Sequence, residues 1–95
     1  MRGPVGAVAV GAVLARVAPD VVVNCAGATS GDLATLTAGN VDGPAALVTA
    51  LLRAPVRLVH LGSAAEYGRG PAGPVREDEP ARPLSPYGVT KLAGT

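Results

Sequence analysis

Pro19-Asp20-Val21-Val22-Val23-Asn24-Cys25-Ala26-Gly27 is the stretch from which the fold is read. Three consecutive valines favour extended backbone, and an apolar run without polar alternation suits a strand buried on both faces. The run ends in small and polar residues that fit a tight turn. A strand is therefore expected over residues 20–25. A second run, Val56-Arg57-Leu58-Val59-His60-Leu61, ends at Gly62-Ser63 and reads as a second strand. Between them, from about Asp32 to Arg53, the apolar residues Leu33, Leu36, Val41, Ala45, Val48, Leu51 and Leu52 recur at three- and four-residue steps. That spacing predicts a long helix, with Ser30 or Asp32 as its cap and a bend at Gly43-Pro44. Strand, helix, strand in this order implies a right-handed parallel crossover and an α/β fold.

Outward from this unit, residues 4–18 form an apolar segment of helical length, weakened by Gly6 and Gly11 and closed by Pro19-Asp20. Residues 69–83 combine Pro71, Pro74, Pro80 and Pro83 with Gly70, Gly73 and mixed charges, a composition of turns and extended chain. A loop of that length in a compact domain is more often functional than not. A last helix is expected to start at Ser85-Pro86, with Ser85 as cap and Pro86 at the position where its missing N–H costs nothing. No internal repeat is present.

A chain of 95 residues forms at most one domain and buries a modest core, too short for a complete two-domain enzyme. Its two aromatic residues are both tyrosines, so the core is aliphatic. Eight Lys and Arg against seven Asp and Glu are scattered along the chain, which leaves no footprint for nucleic acid. The single cysteine, Cys25, has no internal partner, and no Cys/His pair stands at metal-ligand spacing. These features read as a cytoplasmic, metal-free protein with no membrane partner. Arg2 and the apolar run from Val5 to Ala15 loosely imitate a secretory leader, but Pro19 would directly follow the best cleavage point, Ala18. The run is also too short to span a bilayer.

Tyr87 and Lys91 stand four apart on the expected last helix, so phenol and ammonium project from one face. A phenol is a poor acid and a poorer base at neutral pH, and a nearby cation favours its phenolate form. Ser63 follows the second strand, at the carboxyl edge where open parallel sheets bind ligands. Asn40 stands four residues before Pro44, which has no N–H. Its carbonyl therefore loses its helical partner and is free to hold a water. Small residues after a strand let a ligand approach the backbone, which makes Asn24, Ala26 and Gly27 cofactor-binding candidates. Other residues have plainer readings. His60 reads as a core histidine with a satisfied nitrogen, Cys25 as a small buried apolar residue, and Glu77, Asp78 and Glu79 as a solvated loop. Glu66 and Tyr67 either line a substrate pocket or pack the turn.

Gly62-Ser63-Ala64-Ala65-Glu66-Tyr67-Gly68, then Pro74-Val75-Arg76-Glu77-Asp78-Glu79-Pro80, then Pro83-Leu84-Ser85-Pro86-Tyr87-Gly88-Val89-Thr90-Lys91 resembles the active-site stretch of extended short-chain dehydrogenases/reductases of the NAD-dependent epimerase/dehydratase kind. The resemblance extends to residues 19–27 and to Asn40-Val41-Asp42-Gly43. It implies a partial Rossmann-like parallel sheet of about two strands with flanking helices, a fragment of a doubly wound NAD(P)-binding fold. It further implies an enzyme that uses NAD, with NADP not excluded, on a nucleotide-sugar, in a homodimeric full-length parent. Carried over by position, Tyr87 is the general acid/base, Lys91 favours its phenolate and holds the nicotinamide ribose, and Ser63 orients the reacting sugar oxygen. Ala64 and Glu66 join Ser63 as substrate-binding residues, and Asn40 helps hold a proton-relaying water.

The chain departs from that family in one respect. A Gly-x-x-Gly-x-x-Gly turn after a first strand cradles the cofactor pyrophosphate in such folds, and Gly3, Gly6 and Gly11 have neither that spacing nor a preceding strand. The chain is accordingly expected to be a family fragment that also lacks the carboxy-terminal substrate domain. Epimerase, 4,6-dehydratase and 4-keto-sugar reductase share the quoted residues. A non-catalytic Rossmann-like binding or regulatory protein is the alternative, and the joint presence of Ser63, Tyr87 and Lys91 argues against it.

Overall fold

The computed structural model describes residues 6–95. Helix α1 (Ala7–Val17) leads through Pro19 into strand β1 (Val21–Asn24). A helical path follows, made of α2 (Leu33–Thr37), a π-helical turn (Ala38–Asp42) and α3 (Gly43–Leu51). Strand β2 (Arg57–His60), a 3-10 turn (Ala64–Tyr67) and α4 (Pro86–Gly94) complete the order. The expected first helix begins in residues that lie partly outside those described. The two strands pair in parallel, Val21 opposite Arg57 and Asn24 opposite His60. The Leu61 N–H donates to the Asn24 carbonyl and extends the ladder by one bond.

Local chemistry accounts for these boundaries. Asp32, one of the two expected caps, accepts the Thr35 N–H at 2.8 Å. That hydrogen bond holds the Asp32 carboxyl below its ordinary range. Ser85 caps α4 by accepting the Gly88 N–H at 3.0 Å, with Pro86 in the first turn as expected. The long central helix is not simply bent at Gly43-Pro44. The Gly43 N–H reaches back five residues to the Ala38 carbonyl, so the widening lies one turn ahead of the proline. A helix accommodates a missing donor by such a local π-turn as well as by a kink.

The strands are not buried on both faces: Val22, Asn24, Leu58 and His60 are half-buried, while Val21, Val23 and Val59 are open to solvent. Among the described residues nothing covers that second face. The buried apolar core is small, consisting of Leu36, Ala46, Ala50 and Leu51. Equally many polar residues are buried, Asn40, Glu66, Thr90 and Lys91. Hydrogen bonds must therefore hold much of the interior, because a buried polar group without a partner costs about 1–3 kcal/mol. No helix among the described residues is long and apolar enough to cross a membrane.

Candidate active site

The carboxyl ends of both strands, the 3-10 turn and α4 converge on the residues singled out by sequence. Ser63 caps the 3-10 turn. Its Oγ accepts the Ala65 N–H at 3.2 Å, and its own N–H donates to Glu66 Oε2 at 2.8 Å. This reciprocal pair is a capping box, and its signature, Ser-Ala-Ala-Glu, was present in the sequence although no helical turn was expected there. The Ser63 hydroxyl proton has no acceptor among the described residues and is free for a ligand oxygen. Ala64, beside it, is exposed.

Glu66 has the turn-packing role in this structure rather than a substrate-facing one. It is 7% exposed, and its Oε2 also faces the Thr95 hydroxyl at 3.1 Å. That hydroxyl lies 2.9 Å from the Lys91 carbonyl as well, so one proton is shared between two acceptors. Tyr67 is half-buried and lines, with Arg69, Gly70, Glu79, Pro80, Arg82 and Leu84, an open cavity of about 340 Å³ under the long loop. None of Ser63, Tyr87 and Lys91 lines it, so it does not mark the candidate chemistry. Asp78 in that loop meets only Arg76, at 3.8 Å and in full solvent, a pair of little energetic weight.

Helix α4 carries Tyr87 in its first turn and Lys91 one turn on. Tyr87 is half-buried, and its hydroxyl makes no hydrogen bond among the described residues. Lys91 is 8% exposed, and its ammonium donates to the Leu61 carbonyl at 3.0 Å. No carboxylate forms an ion pair with it among the described residues. The same nitrogen stands beside Gly27: a Cβ built there would lie 3.9 Å from it and 2.8 Å from Asn40 Oδ1. A side chain at 27 would collide with the Asn40 carboxamide, so glycine is what lets this turn pack against Asn40.

Asn40, in the π-turn, is 1% exposed, and its carboxamide is fully engaged. Oδ1 accepts the Ala28 N–H at 2.8 Å, while Nδ2 donates to the Ala28 carbonyl at 2.8 Å and to Thr90 Oγ1 at 3.1 Å. The Asn40 carbonyl, expected to be free for a water, instead abuts the backbone of Gly94, where a Cβ would overlap it. Its side chain, not its carbonyl, makes the connections. Thr90, which the sequence reading passed over, is the second member of this buried pair.

The remaining candidates sit at the turn after β1. Asn24 Oδ1 accepts the Ala26 N–H at 3.2 Å, and Nδ2 faces His60 Nδ1 at 3.1 Å. The donor at Nδ2 makes His60 Nδ1 an acceptor and puts the ring proton on Nε2, which is buried without a partner. One nitrogen of the expected core histidine is therefore satisfied and the other is not. Ala26 and Gly27 are exposed. Cys25 is exposed too, contrary to its reading as buried; it lies one residue past β1, in which the alternate residues Val21 and Val23 are already open to solvent. No group of metal-ligating side chains forms among the described residues.

Ser63 follows β2, and α4, which carries Tyr87 and Lys91, packs against the 3-10 turn that Ser63 caps. The chain matches the NAD dependent epimerase/dehydratase family over residues 6–95 and belongs to it. It is 42% identical over 88 residues to dTDP-6-deoxy-L-talose 4-dehydrogenase (NAD(P)(+)) of Kitasatospora kifunensis, a match covering 88% of this chain and 28% of that protein. Against UDP-glucose 4-epimerase of Streptomyces lividans it is 47% identical over 55 residues, covering 57% and 17%. Among solved structures, the Bordetella bronchiseptica enzyme WbmG in complex with NAD and UDP superposes with a TM-score of 0.86 at 31% identity. That superposition covers 99% of this chain and 31% of the other. The chain therefore spans less than a third of the length of each of these relatives.

Proposed function

We propose that this chain is the active-site portion of the NAD-binding domain of a nucleotide-sugar epimerase, dehydratase or 4-keto-sugar reductase, a partial Rossmann-like domain. Tyr87 exchanges a proton with a sugar hydroxyl or keto oxygen. Ser63 donates its uncommitted O–H to the same oxygen and so holds it in place. Lys91 binds ribose hydroxyls of the cofactor. The relatives' names support this reading, since they comprise a 4-dehydrogenase and a 4-epimerase of nucleotide-sugars and a structure holding NAD with UDP. The cofactor, when bound, supplies the hydride acceptor and donor.

The observation that carries the proposal is the Lys91 ammonium. It has three N–H donors, one protein acceptor and, among the described residues, no carboxylate. A buried ammonium left so incompletely paired is unfavourable unless a ligand completes its shell. A ribose diol fits, with two hydroxyl oxygens for the two remaining donors. The fit is to the nicotinamide-ribose end of the cofactor only, because no glycine cradle for the pyrophosphate occurs among the described residues.

The test is turnover by the full-length enzyme that contains this segment, with nucleotide-sugars as substrates. Tyr87→Phe is expected to lower kcat by roughly 10²–10⁴-fold, the usual worth of a positioned acid/base, with cofactor affinity nearly unchanged. Lys91→Met is expected to weaken both. Near-normal kcat in Tyr87→Phe would remove the acid/base assignment and favour the non-catalytic relative.

A further inference from the structure

We propose that Thr90 is a positioning residue, the middle link of a buried hydrogen-bond chain that sets the Tyr87–Lys91 helix at a fixed distance from the turn after β1. The inference rests on the roles given to Tyr87 and Lys91 above. Thr90 is 4% exposed, and its Oγ1 donates to the Tyr87 carbonyl at 3.0 Å. A carbonyl only accepts, so the threonine proton is committed to Tyr87, and the hydroxyl oxygen is left to accept. The atom facing it from Asn40 must then be the amide nitrogen, which leaves Oδ1 for the Ala28 N–H. Donor and acceptor roles along Ala28, Asn40, Thr90 and Tyr87 are therefore determined from one end to the other.

What the chain connects gives it a purpose beyond packing. At one end is the backbone next to Gly27, and at the other is the carbonyl of the residue assigned to proton transfer. Lys91 follows Thr90 directly, and its ammonium lies 3.9 Å from where a Cβ at Gly27 would stand. Helix α4 approaches closely on both sides of this link. Gly88 lies where a Cβ would come 2.5 Å from the Ala65 carbonyl, and Gly94 lies against the Asn40 carbonyl. With the helix pressed between two backbone segments, the threonine hydroxyl is the polar contact that fixes its rotation about its own axis. The π-turn delivers Asn40 to this position, since the extra residue turns the side chain away from where a regular helix would carry it.

Packing and positioning make different predictions for two substitutions. Valine has the shape of threonine, so a purely steric role tolerates Thr90→Val, whereas loss of the hydroxyl leaves Asn40 Nδ2 one acceptor short. Serine keeps the hydroxyl and loses the methyl. Two features of the sequence allow a direct readout in the 95-residue chain: Asn24 and Asn40 hold its only side-chain carboxamides, and Lys91 is its only lysine. The experiment is NMR on the wild type, Thr90→Val and Thr90→Ser, following Asn40 carboxamide proton exchange and the single lysine Cε signal. Thr90→Val is expected to raise the exchange rate about tenfold, the equivalent of one lost hydrogen bond, and to shift the lysine signal. Thr90→Ser is expected to hold both near wild type.

Unchanged Asn40 and Lys91 signals in a folded Thr90→Val chain would overturn the proposal. If Thr90→Val does not fold, Thr90→Ser decides alone, and serine losing both signals would equally overturn it. Because these signals are read without turnover, they remain valid if Lys91→Met leaves the full-length enzyme active, an outcome that would sink only the functional reading.

Discussion

Asn40→Ala tests how far one buried carboxamide holds this small interior together. The side chain is 1% exposed and makes three hydrogen bonds, two to the Ala28 backbone and one to Thr90. Each is worth about 0.5–1.5 kcal/mol net, so their loss amounts to roughly 3 kcal/mol before any cavity is counted. Ala28 is half-buried, and water can recover part of its two bonds, whereas Thr90 is sealed off. The loss is therefore set at about 2–4 kcal/mol. A domain of this size has a stability on the order of 5–14 kcal/mol, and one with four buried apolar side chains lies at the low end. In urea, with a slope of about 1 kcal/mol/M, the midpoint of the helical circular-dichroism transition should fall by roughly 2–4 M, or the chain should be unfolded without denaturant. A midpoint within about 0.5 M of wild type would show that the network seen around Asn40 does not carry the interior.

Three further outcomes follow from other contacts. Gly94→Ala should displace α4 and destabilise the chain by more than 2 kcal/mol, against the small gain alanine gives an unconstrained helix, because the added methyl meets the Asn40 backbone carbonyl; a Tm equal to wild type would refute the contact. Asp32 has a folded-state carboxyl held below its ordinary range by the Thr35 N–H, so its cap is present above the unfolded value near 3.9 and is lost as pH falls through the lowered one. Asp32→Asn should abolish the part of the acid sensitivity that amide exchange reports at Thr35, and an unchanged pH profile there would exclude the cap. The 95-residue chain should self-associate and bind NADH and NADPH weakly, since Val21, Val23, Val59 and Leu61 lie open on and beside a two-stranded sheet; a monodisperse monomer in sedimentation with micromolar binding in calorimetry would contradict both.

The parts of the fold that were legible in the sequence share a cause: each is decided within a few residues. The valine run at 21–23 fixed a strand, Ser85-Pro86 fixed a helix start, and the apolar spacing from Leu33 to Leu52 fixed a helix, because propensity, capping and periodicity act locally. The errors lie where distant segments decide. Burial of the strands on both faces needs neighbouring elements, and among the described residues one face has none, so Val21 and Val23 are open although their sequence suits a covered strand. Cys25, expected to be buried, shares the exposure of Val21 and Val23 at the alternate positions before it.

Asn40 shows the same division within the candidate site. The missing N–H of Pro44 is a local fact, and from it the sequence supported an irregular helix with a carbonyl released toward the active site. The irregularity is there, as a π-turn ending at Asp42. Which group of Asn40 it frees was not a local matter. The carbonyl faces Gly94, fifty-four positions along the chain, and the carboxamide spans from Ala28 to Thr90. Only the packing of α4 across the helix determines that the released carbonyl meets a glycine backbone and not solvent. A proline at 44, a glycine at 94 and a threonine at 90 have separate local readings, yet in the folded chain the proline and the glycine stand against one another and the glycine and the threonine meet at Asn40.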